Sequence, residues 1–208
     1  MSSFTPTETR AVSMLATLYV VRMLGLFMVL PLIAVYSADM TGATPFLLGL
    51  AVGAYGLTQS TLQIPMGWLS DRIDRRWVIV FGLSLLVLGS VVAALSSSIW
   101  GVIAGRFLQG AGAIASATMA LVADYTRVEQ RAKASAIIGG SIAIAFGLAL
   151  VLGPTFANFG GLQGVFSVTA LLATAGIGVV CFLPKPDRRA AASRDVAVGF
   201  QRNRLAEV

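Results

Sequence analysis

Long apolar runs, separated at alternate gaps by clusters of basic residues, decide what this chain can fold into. A membrane-spanning helix needs about 20 mostly apolar residues, and the segments 11–36, 46–69, 77–95, 100–122, 134–157 and 163–183 qualify. Only 12% of the residues are charged, about half the share found in soluble domains. The expected fold class is an all-α integral membrane protein, a six-transmembrane-helix bundle over 11–183, with residues 1–10 before it and a basic segment, 184–208, after it. The first run is too long for the core of a cleavable signal and lacks a small-residue cleavage site, so it is expected to remain as the first helix.

Charge placement sets the orientation, because cytoplasmic loops collect Lys and Arg. Arg10 precedes the first segment; Arg72, Arg75 and Arg76 follow the second; Arg127, Arg131 and Lys133 follow the fourth; Lys185, Arg188, Arg189, Arg194, Arg202 and Arg204 follow the sixth. The intervening gaps 37–45, 96–99 and 158–162 hold no Lys or Arg. Both termini are therefore expected on the cytoplasmic side of an inner or plasma membrane. The net charge of +6 has this topological role rather than a nucleic-acid partner, since the basic residues lie between apolar runs and not on one amphipathic face. The chain has no histidine and one cysteine, Cys181, so neither a metal site nor an internal disulfide is expected.

Within the apolar segments a few polar side chains carry the chemistry. Arg22 lies about 18 Å into the first segment at 1.5 Å per helical residue, near mid-membrane. A guanidinium there costs at least about 2.5 kcal/mol on insertion scales unless it faces protein or water. Arg106 enters the fourth segment less deeply, and for either arginine the alternative is snorkelling to the interface. Tyr19, Tyr36, Tyr55, Gln59, Gln63 and Gln109 are candidate cavity-lining residues beside Met23, Phe27 and Met28. No carboxylate falls well inside a segment, so none is placed to carry a proton across the middle. Gly49, Gly53 and Gly56, and Gly101 with Gly105, place small residues along helix faces and are expected to pack closely against neighbours. Pro65 and Pro154 each come late in their helices, and Arg22 with Gly25 mirrors Arg106 with Gly110, the trace that a three-plus-three inverted repeat leaves.

Gly67-Trp-Leu-Ser-Asp71-Arg72-Ile-Asp74-Arg75-Arg76 resembles the loop between helices 2 and 3 of the major facilitator superfamily, whose pattern is Gly-x-Leu-Ala-Asp-Arg-x-Gly-Arg-Lys/Arg. Arg106-Phe-Leu-Gln109-Gly110-Ala-Gly112-Ala resembles that superfamily's helix 4 motif, associated with proton coupling. Gly153-Pro154 resembles the core of its antiporter motif, with Ala149 and Ala157 where the pattern prefers glycine. Asp124-Tyr-Thr-Arg127 with Arg131 resembles the shorter repeat of the charged loop. Arg22-Met-Leu-Gly-Leu-Phe-Met-Val-Leu-Pro31 and Tyr55-Gly-Leu-Thr-Gln-Ser-Thr-Leu-Gln-Ile-Pro65 are similar to the YajR-like branch of drug and proton antiporters. The resemblance runs from about residue 10 to 183.

The resemblance implies a transporter, not an enzyme, with no catalytic residue, working by alternating access as the N-terminal half of a twelve-helix fold. It implies proton-coupled export of a small amphipathic molecule, a proton gradient in place of any cofactor, and a second six-helix bundle as partner, either a C-terminal half or a second copy. Gly67, Asp71, Arg72, Arg75 and Arg76 would form a cytoplasmic gate, and Arg22, Tyr55, Gln59, Gln63, Arg106 and Gln109 the coupling or substrate residues. Metabolite or sugar symport, or a truncated protein that does not transport, are the alternatives. Asp74 replaces the glycine of the pattern, which implies a small strain if that position needs a positive φ.

Overall fold

The computed structural model describes residues 4–37 and 40–183; Asp39 and the basic segment from residue 184 onward lie outside them. The described chain is helical: α1 Pro6–Tyr36, α2 Pro45–Arg72, α3 Arg75–Ala94, α4 Ile99–Ala111, α5 Ala115–Tyr125 and α6 Arg131–Cys181, with a single 3-10 turn at Val128–Gln130. Four helical stretches among the described residues are long and apolar enough to cross a membrane, Pro6–Tyr36, Arg75–Ala94, Ile99–Tyr125 and Val128–Cys181. The polar run Thr58-Gln-Ser-Thr61 and Gln63 lower the hydropathy of α2, although it is a continuous helix.

Local chemistry explains where these helices start. Thr5 accepts a hydrogen bond from the Glu8 backbone N–H while the Glu8 carboxylate takes the Thr5 N–H, a capping box with Pro6 at the first helical position. Thr44 caps α2, Asp74 caps α3 and Ser98 caps α4, each side chain accepting from one backbone N–H of the first turn.

The helices differ from the expected segments in two places, and glycine is the cause of both. The fourth segment breaks at Gly112, whose ψ of 45° leaves the helix, so α4 ends and α5 begins after three residues. The close approach of α3 holds the break, since a Cβ on Gly112 would stand 2.2 Å from the Gly82 carbonyl oxygen. The fifth and sixth segments join as one element, α6, but Gly160 and Gly161 inside it are not helical, and Gly161, at φ 59° and ψ −157°, adopts a conformation open only to glycine. The two arms fold back on each other there: Ala134 and Ile138 from one and Val180 from the other share an apolar cluster at one end of the bundle.

Packing places α1 along α6, α6 and α4 on either side of α3, and α2 along α4. One apolar cluster gathers Leu15, Leu18, Ile79, Leu83 and Val122; a second, Met28, Ile33, Val102 and Phe166. In lipid, apolar burial gives little drive between helices, so close backbone contact matters more. Gly89 of α3 meets Gly105 of α4, and Gly110 of α4 meets the Tyr55 carbonyl of α2. Gly25 and Met28 of α1 lie between the two arms of α6, against Thr169 and Gly153. Gly49, Gly53 and Gly56 correct the sequence expectation. A Cβ on any of them would meet nothing within 4 Å, because that face of α2 is turned away from α4.

Asp71, Arg75, Arg76, Asp124, Arg127 and Glu8 gather at one end of the bundle, and the turns around Thr41, Ser96 and Gln163 meet at the other, which carries no described ion pair. Glu8 is 4% exposed and ties the start of α1 to the turn after α5. Its carboxylate accepts from the Arg127 N–H at 2.9 Å, from Nε at 3.0 Å and from Nη2 at 3.1 Å. Burial alone would raise its pKa, but these bonds and the Thr5 N–H outweigh burial and hold it at about 2 against an ordinary 4.5. A depressed folded pKa stabilises fully above pH 4.5 and loses that contribution as pH falls toward 2. Thermal unfolding between pH 6 and 2.5 is therefore expected to show a wild-type advantage over Glu8→Gln that shrinks through this window. An advantage independent of pH would remove the ion pair as its cause.

Candidate functional site

A polar network crosses the interior between the two apolar clusters. The Arg22 Nη2 of α1 donates to the Tyr55 hydroxyl of α2 at 3.2 Å and, more weakly, to Gln59 Oε1 at 3.5 Å. The Arg106 guanidinium of α4 lies over the Tyr55 ring, 4.7 Å from its centroid, in the attractive geometry of a cation on a π face. Arg106 also donates from Nη1 to Gln109 Oε1 at 2.9 Å and from Nε to the Ala51 carbonyl at 3.3 Å. Gln109 Nε2 in turn donates to Ser90 Oγ of α3 at 2.8 Å. One tyrosine thus links two buried arginines on different helices, and four helices contribute.

Spacing explains how the sequence builds it. Tyr55 and Gln59 stand four residues apart on one face of α2, and Arg106 and Gln109 three apart on one face of α4. Small residues at Ala51, Ala54, Gly105 and Gly110 let α2, α3 and α4 come close enough for these side chains to meet. Arg22 is 3% exposed and Arg106 1%, so neither snorkels out of the bundle. Arg22 Nε and Nη1 and Arg106 Nη2 are buried and have no hydrogen-bond partner among the described residues. Gln63 lies one turn from Gln59: its backbone oxygen accepts from Ser116 Oγ at 3.4 Å, and its Oε1 is buried without a partner among the described residues. Tyr19 closes the same region from α1, donating to the Ala115 carbonyl at 3.2 Å. Met28 is fully buried in the second cluster.

The charged hairpin after α2 forms a second constellation. Asp71, 68% exposed at its side chain, pairs with Arg75 Nη2 at 3.2 Å one turn away. Arg75 reaches further, to the Asp124 carboxylate and the Ala120 carbonyl of α5. Arg76 Nη2 donates to the Tyr125 hydroxyl at 2.5 Å, and Arg72 stacks over the Trp68 ring at 3.7 Å. The hairpin is thus joined to α5 by Arg75 and Arg76, while the Asp71 carboxylate keeps most of its surface free. Gly67 allows the approach, since a Cβ there would sit 3.1 Å from Ser116 Oγ. The strain expected at Asp74 is absent: its φ is −58°, and it accepts from the Arg76 N–H at 2.9 Å as the cap of α3.

Gly153 serves contact. A Cβ there would lie 3.1 Å from the Met28 carbonyl oxygen, and Ala149 and Ala157 are buried on the same face of α6. Pro154 sits on the outer face, inside a helix that it does not end. Sequence reasoning missed Ser90, the Arg75 link to Asp124, and Glu8. The last had a readable signal, since Thr5-Pro-Thr-Glu8 before an apolar run is a capping-box pattern.

The model of the Major Facilitator Superfamily matches residues 15–204 of the chain. The inner membrane transport protein YajR of Escherichia coli is 52% identical over 179 residues, covering 86% of this chain and 39% of that protein. The class B tetracycline resistance protein of Escherichia coli is 31% identical over 157 residues, covering 74% and 38%. The human organic anion transporter MFSD10 superposes with a TM-score of 0.72 at 21% identity, over 86% of this chain and 48% of that one, a likeness of fold. The chain spans less than half the length of these curated relatives, and the first of them is named as a transport protein of the inner membrane, not an enzyme. From the family match, and from an identity sustained over most of its length, the chain belongs to the major facilitator superfamily of membrane transport proteins.

Proposed function

We propose that the chain is the N-terminal six-helix half of a secondary active transporter that exports a small amphipathic molecule in exchange for protons. The observation that carries this reading is the Arg22–Tyr55–Arg106–Gln109 network. Such costly buried cations in apolar helices mark a pathway rather than a packing device. The fold-back of α6 and the α4–α5 pair support six spans arranged as a three-plus-three inverted repeat. Clustering of the described basic residues at one end supports both termini on the cytoplasmic side.

In this reading two six-helix bundles rock about a midplane site, the partner being a C-terminal half or a second copy of the chain. Arg75 and Arg76 join the hairpin to α5, so the charged end moves as one piece, and Asp71 is the member left to engage the partner bundle. A latch biases only states in which its contacts differ. Asp71→Asn is therefore expected to slow transport while leaving membrane insertion intact. Accumulation of a fluorescent amphipath in energised inverted vesicles measures the rate, and a protonophore should abolish it if protons drive the exchange. An Asp71→Asn rate equal to wild type would remove the latch.

A further inference from the structure

The packing order leaves one seam. The closest packing puts α1 on α6, α6 on α3, α3 on α4 and α4 on α2, whereas α1 and α2, with α5 against both, share little direct packing. Arg22 crosses this seam with two bonds, one of them at 3.5 Å, the outer limit for a hydrogen bond. Its Nε and Nη1 have no partner among the described residues. On its other side Arg22 borders a cleft between α1 and the start of α5, lined by Leu18, Tyr19, Ile114 and Thr118, that is too narrow to seat a water molecule. Arg106, with Nη2 unpartnered, rests on the ring of the same tyrosine that receives Arg22.

The described carboxylates of the chain, Glu8, Asp71, Asp74, Asp124 and Glu129, all lie at the charged end, outside this network. Two fixed positive charges therefore share an interior with no described counter-charge, the arrangement that burial penalises most. Three guanidinium nitrogens are left to donate to an anion, and the contacts that close the seam are few. The cleft beside Arg22 is walled by the apolar side chains of Leu18 and Ile114, whereas Phe27, further round α1, packs edge-on against Phe146 of α6 with ring centroids 5.1 Å apart.

We propose, on the basis of the transporter reading above, that the α1–α2 seam at Arg22 is an anion-binding subsite and that the transported solute is an amphipathic organic acid. Its carboxylate, or a comparable oxyanion, accepts from Arg22 Nε and Nη1 as the seam opens. Arg106 adds attraction through the shared tyrosine, and the apolar body of the solute lies against Leu18 and Ile114 beside Arg22. A neutral or cationic solute of the same shape gains nothing from this geometry.

The test compares 3-phenylpropanoate with its amide and its amine on the full chain in lipid nanodiscs at pH 7.5, read as the rise in thermal unfolding midpoint with concentration. The acid is expected to act at a concentration about tenfold lower than the amide, and the amine to show no specific effect. Arg22→Gln should lose about tenfold for the acid alone, Arg22→Lys should recover part of it, and Arg10→Gln, an exposed cation, should leave it unchanged. Equal responses to acid and amide in the wild type would overturn the proposal, including the case in which a protein carboxylate supplies the counter-charge. That comparison needs no variant and stands even if Arg22→Gln does not fold. Acid preference retained in a folded Arg22→Gln would also overturn it. Selective binding without movement across the membrane would count against the transporter reading and support the subsite.

Discussion

Gly89→Ala is expected to destabilise the bundle on the order of 3 kcal/mol, enough to abolish most folded protein. The added Cβ would stand 2.5 Å from the Gly105 carbonyl oxygen and 2.7 Å from the Gln109 N–H nitrogen. Both are backbone atoms of α4, so no side-chain rotation relieves the clash and the two helices must separate. Separation also pulls Ser90 from Gln109, now 2.8 Å apart, and so reaches the polar network. Gly53→Ala is the matched control: nothing lies within 4 Å of its Cβ, and alanine favours the helix by about 1 kcal/mol. Thermal unfolding in detergent should rank Gly89→Ala well below wild type and Gly53→Ala level with it or above. Similar midpoints for the two variants would mean that α3 and α4 are not in backbone contact.

The second large effect is a split between stability and transport at Arg106. Gln109→Leu removes the acceptor 2.9 Å from Arg106 Nη1 and leaves a buried guanidinium with one fewer partner, at a cost of about 2 kcal/mol. Arg106→Met removes the charge itself. Gln109 keeps its Nε2 bond to Ser90, and the Ala51 carbonyl remains inside α2. The one described bond whose loss by a neighbour matters is at Gln109 Oε1, a neutral acceptor whose cost is smaller than that of a stranded guanidinium. Replacing a buried charge by an apolar side chain of similar length is often neutral or stabilising. Arg106→Met is therefore expected to unfold at or above the wild-type temperature yet lose most transport, whereas Gln109→Leu loses both. If Arg106→Met unfolds earlier than Gln109→Leu, the arginine is a structural strut and the interior site reading fails.

These outcomes turn on contacts that the chain order does not display. Arg22 and Tyr55 are separated by 33 residues and Arg106 and Ala51 by 55. Each was a recognisable polar intruder in an apolar run, but their meeting at one tyrosine depends on the rotation and depth of three helices. Glycine shows the same limit. Gly49, Gly53 and Gly56 have the spacing of a packing face, yet the face that packs runs through Gly89, Gly105 and Gly110. The spacing is common to both, and only the neighbouring helix decides which is used. Asp74 stands where the family pattern has glycine, and its side chain takes a capping role that its negative φ permits.

By itself the sequence determined that the chain is a helical membrane protein with its basic residues in alternate gaps, and it carried the motifs of its family. Run length, charge placement and motif spacing are properties of neighbours along the chain, and the bilayer and the helix hydrogen-bond ladder respond to them locally. Only the tertiary structure decided where the fourth segment breaks, that Gly160 and Gly161 fold α6 back on itself, that Arg75 closes on Asp124, and that two arginines share Tyr55. Each depends on how closely separate backbones approach, a distance set jointly by residues far apart in the chain.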